Sequence, residues 1–111
     1  MNGLTTHVLD ISRGLPAPDV QVRLEQNVEN EWHRIAEVRT DADGRARLRS
    51  SEDDFGAGTY RITFEVGPYF ESLLIAAFYP FVQVVFTVHD ERHYHVPLSL
   101  SPFGYSTYRG S

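Results

Sequence analysis

Cysteine is missing from all 111 residues, which removes disulfides, thiolate metal sites and a cysteine nucleophile from consideration. That absence is compatible with a reducing compartment. No basic region followed by an apolar run stands at residues 1–7, so a secretory signal is not expected and a cytoplasmic location is the default. The longest apolar run, residues 73–88, is interrupted by Tyr79, Pro80 and Gln83 and is too short to cross a bilayer, so a soluble protein without a membrane partner is expected. Cations are outnumbered, ten Lys+Arg against fifteen Asp+Glu for a net charge of −5, and nucleic-acid backbones, which are bound by clustered cations, are not an expected partner. No internal repeat, low-complexity segment or linker breaks the chain. Its length suits one domain spanning residues 1–111, and 41% apolar with 13% aromatic residues can supply one core.

What is present is a succession of short alternating segments. Residues 5–11 are rich in β-branched and apolar side chains and stop at a Gly and two prolines, Gly14, Pro16 and Pro18. Val20, Val22 and Leu24 then alternate with polar neighbours at period two, the mark of a half-buried strand. Residues 32–39 alternate less cleanly. The turn signal Asp41-Ala-Asp-Gly44 leads into a short strand at residues 45–49, and a polar, acidic loop follows at 50–58. The clearest alternation is Tyr60, Ile62, Phe64 and Val66. Between residues 69 and 78, Phe70, Leu73, Leu74 and Ala77 recur at helical spacing, which predicts one short helix. Strands are expected again at 82–88, 93–100 and 104–108. About eight strands with turn signals at roughly ten-residue intervals predict an all-β sandwich.

Five histidines are the candidates for chemistry near neutral pH. His33 and His89 stand near turns among charged neighbours and read as solvated. His93 and His95, two apart on one strand, share a face, with His95 the deeper of the two. His7 lies mid-strand, where a satisfied structural histidine is the ordinary alternative to a functional one. Two histidines at i and i+2 with a third elsewhere permit zinc without specifying it, and there is neither Cys nor an HExxH helix to support it. Paired imidazoles can instead take a proton from water and return it to a leaving nitrogen. Arg45, Arg47 and Arg49 share a strand face that reads as a solvated cationic edge, although Arg45, just after a Gly turn, is placed to present a guanidinium to a carbonyl or an anion. The last residues, Tyr108-Arg109-Gly110-Ser111, are either a plain edge or a tail held against another surface, since Tyr is enriched at interfaces.

Taken together, Leu4-Thr-Thr-His-Val-Leu-Asp10, Asp43-Gly-Arg45 and His93-Tyr-His-Val-Pro-Leu98 with the closing Leu100-Ser-Pro-Phe-Gly-Tyr-Ser-Thr-Tyr-Arg-Gly-Ser111 resemble the 5-hydroxyisourate hydrolases, the transthyretin-related enzymes of urate breakdown. The resemblance spans essentially the whole chain, and the terminal Tyr-Arg-Gly-Ser is its most specific motif. It implies a transthyretin-like β-sandwich of two four-stranded sheets with one short helix, and a homotetramer, a dimer of dimers, with sites in the clefts between subunits. It also implies hydrolysis of a ring amide of 5-hydroxyisourate to the ureido imidazoline carboxylate OHCU, with no cofactor and no metal. On that resemblance His7, Arg45 and His95 are the catalytic positions, and Tyr108, Arg109, Gly110 and Ser111 contact substrate. The chain departs from the family's usual pattern at Pro68, where Asp is commoner, and at Ser99, where Leu is commoner. The rival readings are a non-catalytic transthyretin-like carrier, which the resemblance disfavours because carriers lack this residue set, and an unrelated Ig-like adhesion or carbohydrate-binding module, which leaves the closing motif unexplained.

Overall fold

A computed structural model describes residues 3–111. Ten β-segments and one helix follow in the order β1 (Gly3–Asp10), β2 (Leu15–Pro16), β3 (Gln21–Val28), β4 (Glu31–Arg39), β5 (Arg45–Arg49), β6 (Gly58–Phe64), α1 (Val66–Ser72), β7 (Val82–Val88), β8 (His93–His95), β9 (Leu98–Ser101) and β10 (Gly104–Thr107). They form two sheets, one ordered β4-β3-β6-β7, the other built around β1. The fold is the all-β sandwich that the alternation predicts. Period-two burial holds where it is cleanest in the sequence: Val20, Val22 and Leu24 face Ile62, Phe64, Leu4, Val8, Leu98 and Leu100 in one apolar core, all without measurable exposure.

β1 is the organising strand because both its edges are used twice. Its first half pairs in parallel with β8 and antiparallel with β5, and its second half in parallel with β9 and antiparallel with β2. The segment expected as one strand over 93–100 is divided into β8 and β9 at Val96-Pro97. Proline has no N–H to give the ladder, and Thr6 Oγ1 instead donates to the Val96 carbonyl at 2.6 Å while Val96 N donates to the Thr5 carbonyl at 3.0 Å. On the other flank Gly44 sits at φ 75°, where a Cβ would stand 2.4 Å from the Val8 carbonyl oxygen that lies against it, so the turn into β5 requires glycine. The less clean alternation of β4 has its cause in a register shift opposite Leu24 and Glu25, which puts one extra residue into β4.

The helix begins earlier than its spacing predicts. It covers Val66–Ser72, with Pro68 in the first turn, where the missing N–H costs nothing. Leu74, at φ 61° and 96% exposed, ends it, and residues 73–81 run on as an irregular strap. Helical spacing there was a coincidence of apolar residues that pack singly: Phe70 is in the core, Leu73 and Ala77 only lean against it. No helix among the described residues is long and apolar enough to cross a membrane.

Candidate functional site

The outward face of the β1 sheet carries a row of polar side chains where a solvated strand would carry scattered ones. In register, Thr5 stands between His95 of β8 and Arg47 of β5, and His7 stands beside Arg45. Residues two apart share a face, so Thr5 and His7, Arg45 and Arg47, His93 and His95 all project from the same side. They line a cleft of about 710 Å³, within the ordinary range for a small-molecule site, together with Thr6, Val38, Arg39, Asp41 and Ser111. Another cavity, about 610 Å³, lies between α1 and residues 74–80, but its lining is mostly aliphatic and aromatic, with Glu71 and Tyr79 as its titratable side chains. The histidines and arginines gather in the first.

Each imidazole is held differently. His7 Nε2 donates to the Asp43 carbonyl at 2.9 Å; a carbonyl only accepts, so the proton of neutral His7 is on Nε2 and its remaining ring nitrogen is Nδ1. Asp43 is in turn set by the Asp41 carboxylate, which accepts from the main-chain N–H of Asp43 at 2.9 Å and of Arg45 at 3.0 Å. Those donors, the Arg45 N–H first, hold the Asp41 carboxyl below its usual range. Half-buried His95 has Nδ1 2.8 Å from Thr5 Oγ1, and His93 Nε2 reaches the same oxygen at 3.1 Å. Burial lowers the proton affinity of His95 below its ordinary value; the Thr5 main chain opposes this, and the positive charge of Arg45, with that of His7 and His93 whenever they are protonated, adds to it. At neutral pH His95 is therefore an uncharged imidazole, the form that can accept a proton.

The tail is not frayed. Thr107 Oγ1 donates to the Pro97 carbonyl at 2.8 Å, and the N–H of Gly110 donates to the His95 carbonyl at 2.8 Å, so the chain end runs along β8. A Cβ on Gly110 would meet His95 Cδ2 at 2.5 Å: the glycine lets the backbone lie on the imidazole edge. Ser111 reaches the cleft. Tyr108 and Arg109 do not; they line a separate apolar pocket with Val84, Phe86, Tyr94 and Val96, and the Arg109 guanidinium lies over the Tyr94 ring at 4.4 Å. Of the seven residues expected at the site, His7, Arg45, His95 and Ser111 line one cleft, Gly110 backs it, and Tyr108 and Arg109 stand apart within the single chain.

Several cleft residues are not predicted as site residues by the sequence, Arg47, Thr5, Val38 and Arg39 among them. Arg47 shares the face of Arg45 by simple alternation, so its signal was present in the period-two pattern. Thr5 was legible only once its partner strand was known, and Val38 and Arg39 arrive from the other sheet with no local mark. Arg49 belongs elsewhere despite its spacing: a register shift between Leu4 and Thr5 turns it toward Asp53, 3.7 Å away. Ser99 pairs with Leu9 and Ser106 beyond the strand break and is not part of the cleft lining. Among the described residues no group of three or more His, Asp or Glu side chains could hold a metal ion.

Comparison with known proteins places this geometry among relatives. A profile of the HIUase/Transthyretin family matches residues 4–110. A 5-hydroxyisourate hydrolase of Caulobacter vibrioides is 49% identical over the full length of both chains. The structure of Klebsiella pneumoniae 5-hydroxyisourate hydrolase superposes with a TM-score of 0.86 at 38% identity, covering 98% of this chain and 99% of that one. Sea bream transthyretin in complex with thyroxine superposes with a TM-score of 0.92 at 35% identity, covering 97% and 94%. The backbone alone does not separate enzyme from carrier.

Proposed function

The chain belongs to the HIUase/Transthyretin family, and we propose that within it the chain works as a metal-independent hydrolase opening a ring amide of 5-hydroxyisourate, the substrate in the names of its relatives. The observation that carries this reading is the meeting of His7, Arg45, His95 and Ser111 in one cleft. A carrier needs shape and apolar surface; two imidazoles and a guanidinium around one polar cleft are the equipment for adding water to a carbonyl.

In the proposed reaction neutral His95 takes a proton from water, and the hydroxide joins the attacked carbonyl carbon. Arg45, beside His7 in the register, holds the oxygen on which negative charge develops. The C–N bond then breaks, and the proton held by His95 passes to the leaving nitrogen, so no proton is gained or lost overall. His7 orients substrate or water through Nδ1, its Nε2–H being committed to Asp43. A positioned proton-transfer group of this kind contributes on the order of 10²- to 10⁴-fold. Arg39, Arg45 and Arg47 make the cleft cationic on a chain of net charge −5, which favours an anionic or carbonyl-rich ring over a neutral apolar ligand.

The proposed assembly is a homotetramer with clefts completed between subunits. Supporting it are the large apolar side chains exposed on the single chain, Leu74, Phe78, Val85, Phe103 and Tyr108, and the separation of Tyr108 and Arg109 from the cleft of their own chain. The test generates 5-hydroxyisourate in solution from urate and urate oxidase, with a chelator present, and follows its ultraviolet decay. Decay accelerated at catalytic protein concentration is expected; decay at the spontaneous rate overturns the enzyme reading and leaves the carrier.

A further inference from the structure

One hydroxyl lies between two imidazoles. Thr5 Oγ1 is 2.8 Å from His95 Nδ1 and 3.1 Å from His93 Nε2, and a hydroxyl has a single proton to give. If both contacts are hydrogen bonds between neutral groups, Thr5 donates to one ring and accepts from the other. Two arrangements satisfy this. In one, His95 Nδ1–H donates to Thr5 and Thr5 donates to His93, leaving His95 Nε2 bare. In the other, His93 Nε2–H donates to Thr5 and Thr5 donates to His95 Nδ1, so the His95 proton moves to Nε2 and the ring loses its capacity as a base there.

We propose that Thr5, with His93 as its acceptor, is a positioning residue that keeps the His95 proton on Nδ1 and its Nε2 lone pair free for the reaction; this rests on the hydrolase reading above. Two features support that arrangement. Gly110 lies on the Cδ2 edge of the ring, so the ring is gripped at Nδ1 and Cδ2 and cannot turn over without displacing the tail. The positive charge of Arg45, which acts on His95 across the cleft, favours a lone pair on the free ring nitrogen over an N–H. The other titratable side chains that line the cleft beside the pair and the arginines are His7 on β1 and Asp41 on the turn; protonation of exposed His93 would reverse the chain, since an imidazolium cannot accept.

The experiment replaces Thr5 by Val, which keeps the branched shape and removes the hydroxyl, and by Ser, which restores the hydroxyl alone. Long-range 1H–15N spectra, which distinguish protonated from bare ring nitrogens, report the His95 tautomer without substrate. Expected are Nδ1–H in the unmodified protein, a shift toward Nε2–H in Thr5→Val, a kcat lower by about 10- to 100-fold with a much smaller change in KM, and recovery in Thr5→Ser. Because Thr5 is on the central strand, His93→Phe interrogates the same chain from its exposed end and is expected to move the tautomer in the same direction. The proposal is overturned if the unmodified protein already carries Nε2–H, if Thr5→Val and His93→Phe leave the tautomer unchanged, or if Thr5→Ser is as impaired as Thr5→Val. Absence of any hydrolase activity in the unmodified protein would count against the function instead, with the tautomer readout still deciding the role of Thr5.

Discussion

His95 is held between a hydroxyl and a glycine, and both contacts can be tested. Gly110→Ala would put a methyl 2.5 Å from His95 Cδ2, and the rigid ring has to give way. Since a displacement of about 1 Å at a reacting group can cost on the order of 10²-fold, Gly110→Ala is expected to lower kcat strongly while leaving the melting temperature nearly unchanged; steady-state rates and a thermal melt decide it. The pH dependence has a definite sign. His95 holds its proton less tightly in the folded chain than at its ordinary value of 6.5, so the unfolded chain takes up that proton first as pH falls. Stability from this group is therefore unaffected above 6.5 and declines as pH drops below it. If His95 is the base, the acid limb of kcat/KM also lies below 6.5, and a limb above that value contradicts the assignment. His7, Arg45 and His95 were legible because residue type and the family motif coincide. Thr5 was not, because a threonine mid-strand is an ordinary β-former until its neighbours across the sheet are known.

Among the elements, the strands with one buried face declared themselves: β3 and β6 carry apolar residues at every second position because that side meets the core, although β6 also buries Thr63 on its other side. The helix boundary escapes the local pattern because Leu73, Leu74 and Ala77 match a helical period without forming a helical face. What fixes α1 to the β1 sheet is a long-range contact that no local pattern contains. Fully buried Asp10 accepts from Tyr69 of α1 at 2.8 Å and from the N–H and hydroxyl of Ser12, and Arg13 donates to the Tyr69 oxygen at 3.5 Å. Asp10→Ala strands the Tyr69 hydroxyl and is expected to cost about 2–3 kcal/mol, against about 1 kcal/mol for Tyr69→Phe. Denaturant midpoints of the two variants check the order; equal costs would mean the carboxylate does not organise this junction.

On the scale of the whole molecule, the exposed apolar side chains and the placement of Tyr108 and Arg109 away from their own cleft carry one expectation. Removing residues 108–111 takes away Gly110 behind His95, Ser111 in the cleft and the Arg109–Tyr94 contact together. The truncated chain is expected to lose activity and to sediment as species smaller than a tetramer; an active truncated tetramer would return the tail to a plain edge. The opening composition pointed away from membranes, thiol chemistry and nucleic acid. It could not reveal that an acidic chain gathers three arginines around one cleft, because that gathering depends on β4 and β5 coming from different sheets.

The most direct test of the whole account compares the unmodified protein with His95→Ala under identical supply of 5-hydroxyisourate from urate oxidase. The account predicts accelerated ultraviolet decay with the unmodified protein and a loss of about 10²- to 10⁴-fold in the folded variant of unchanged assembly. Equal rates for the two proteins, or decay no faster than the spontaneous reaction, would contradict it.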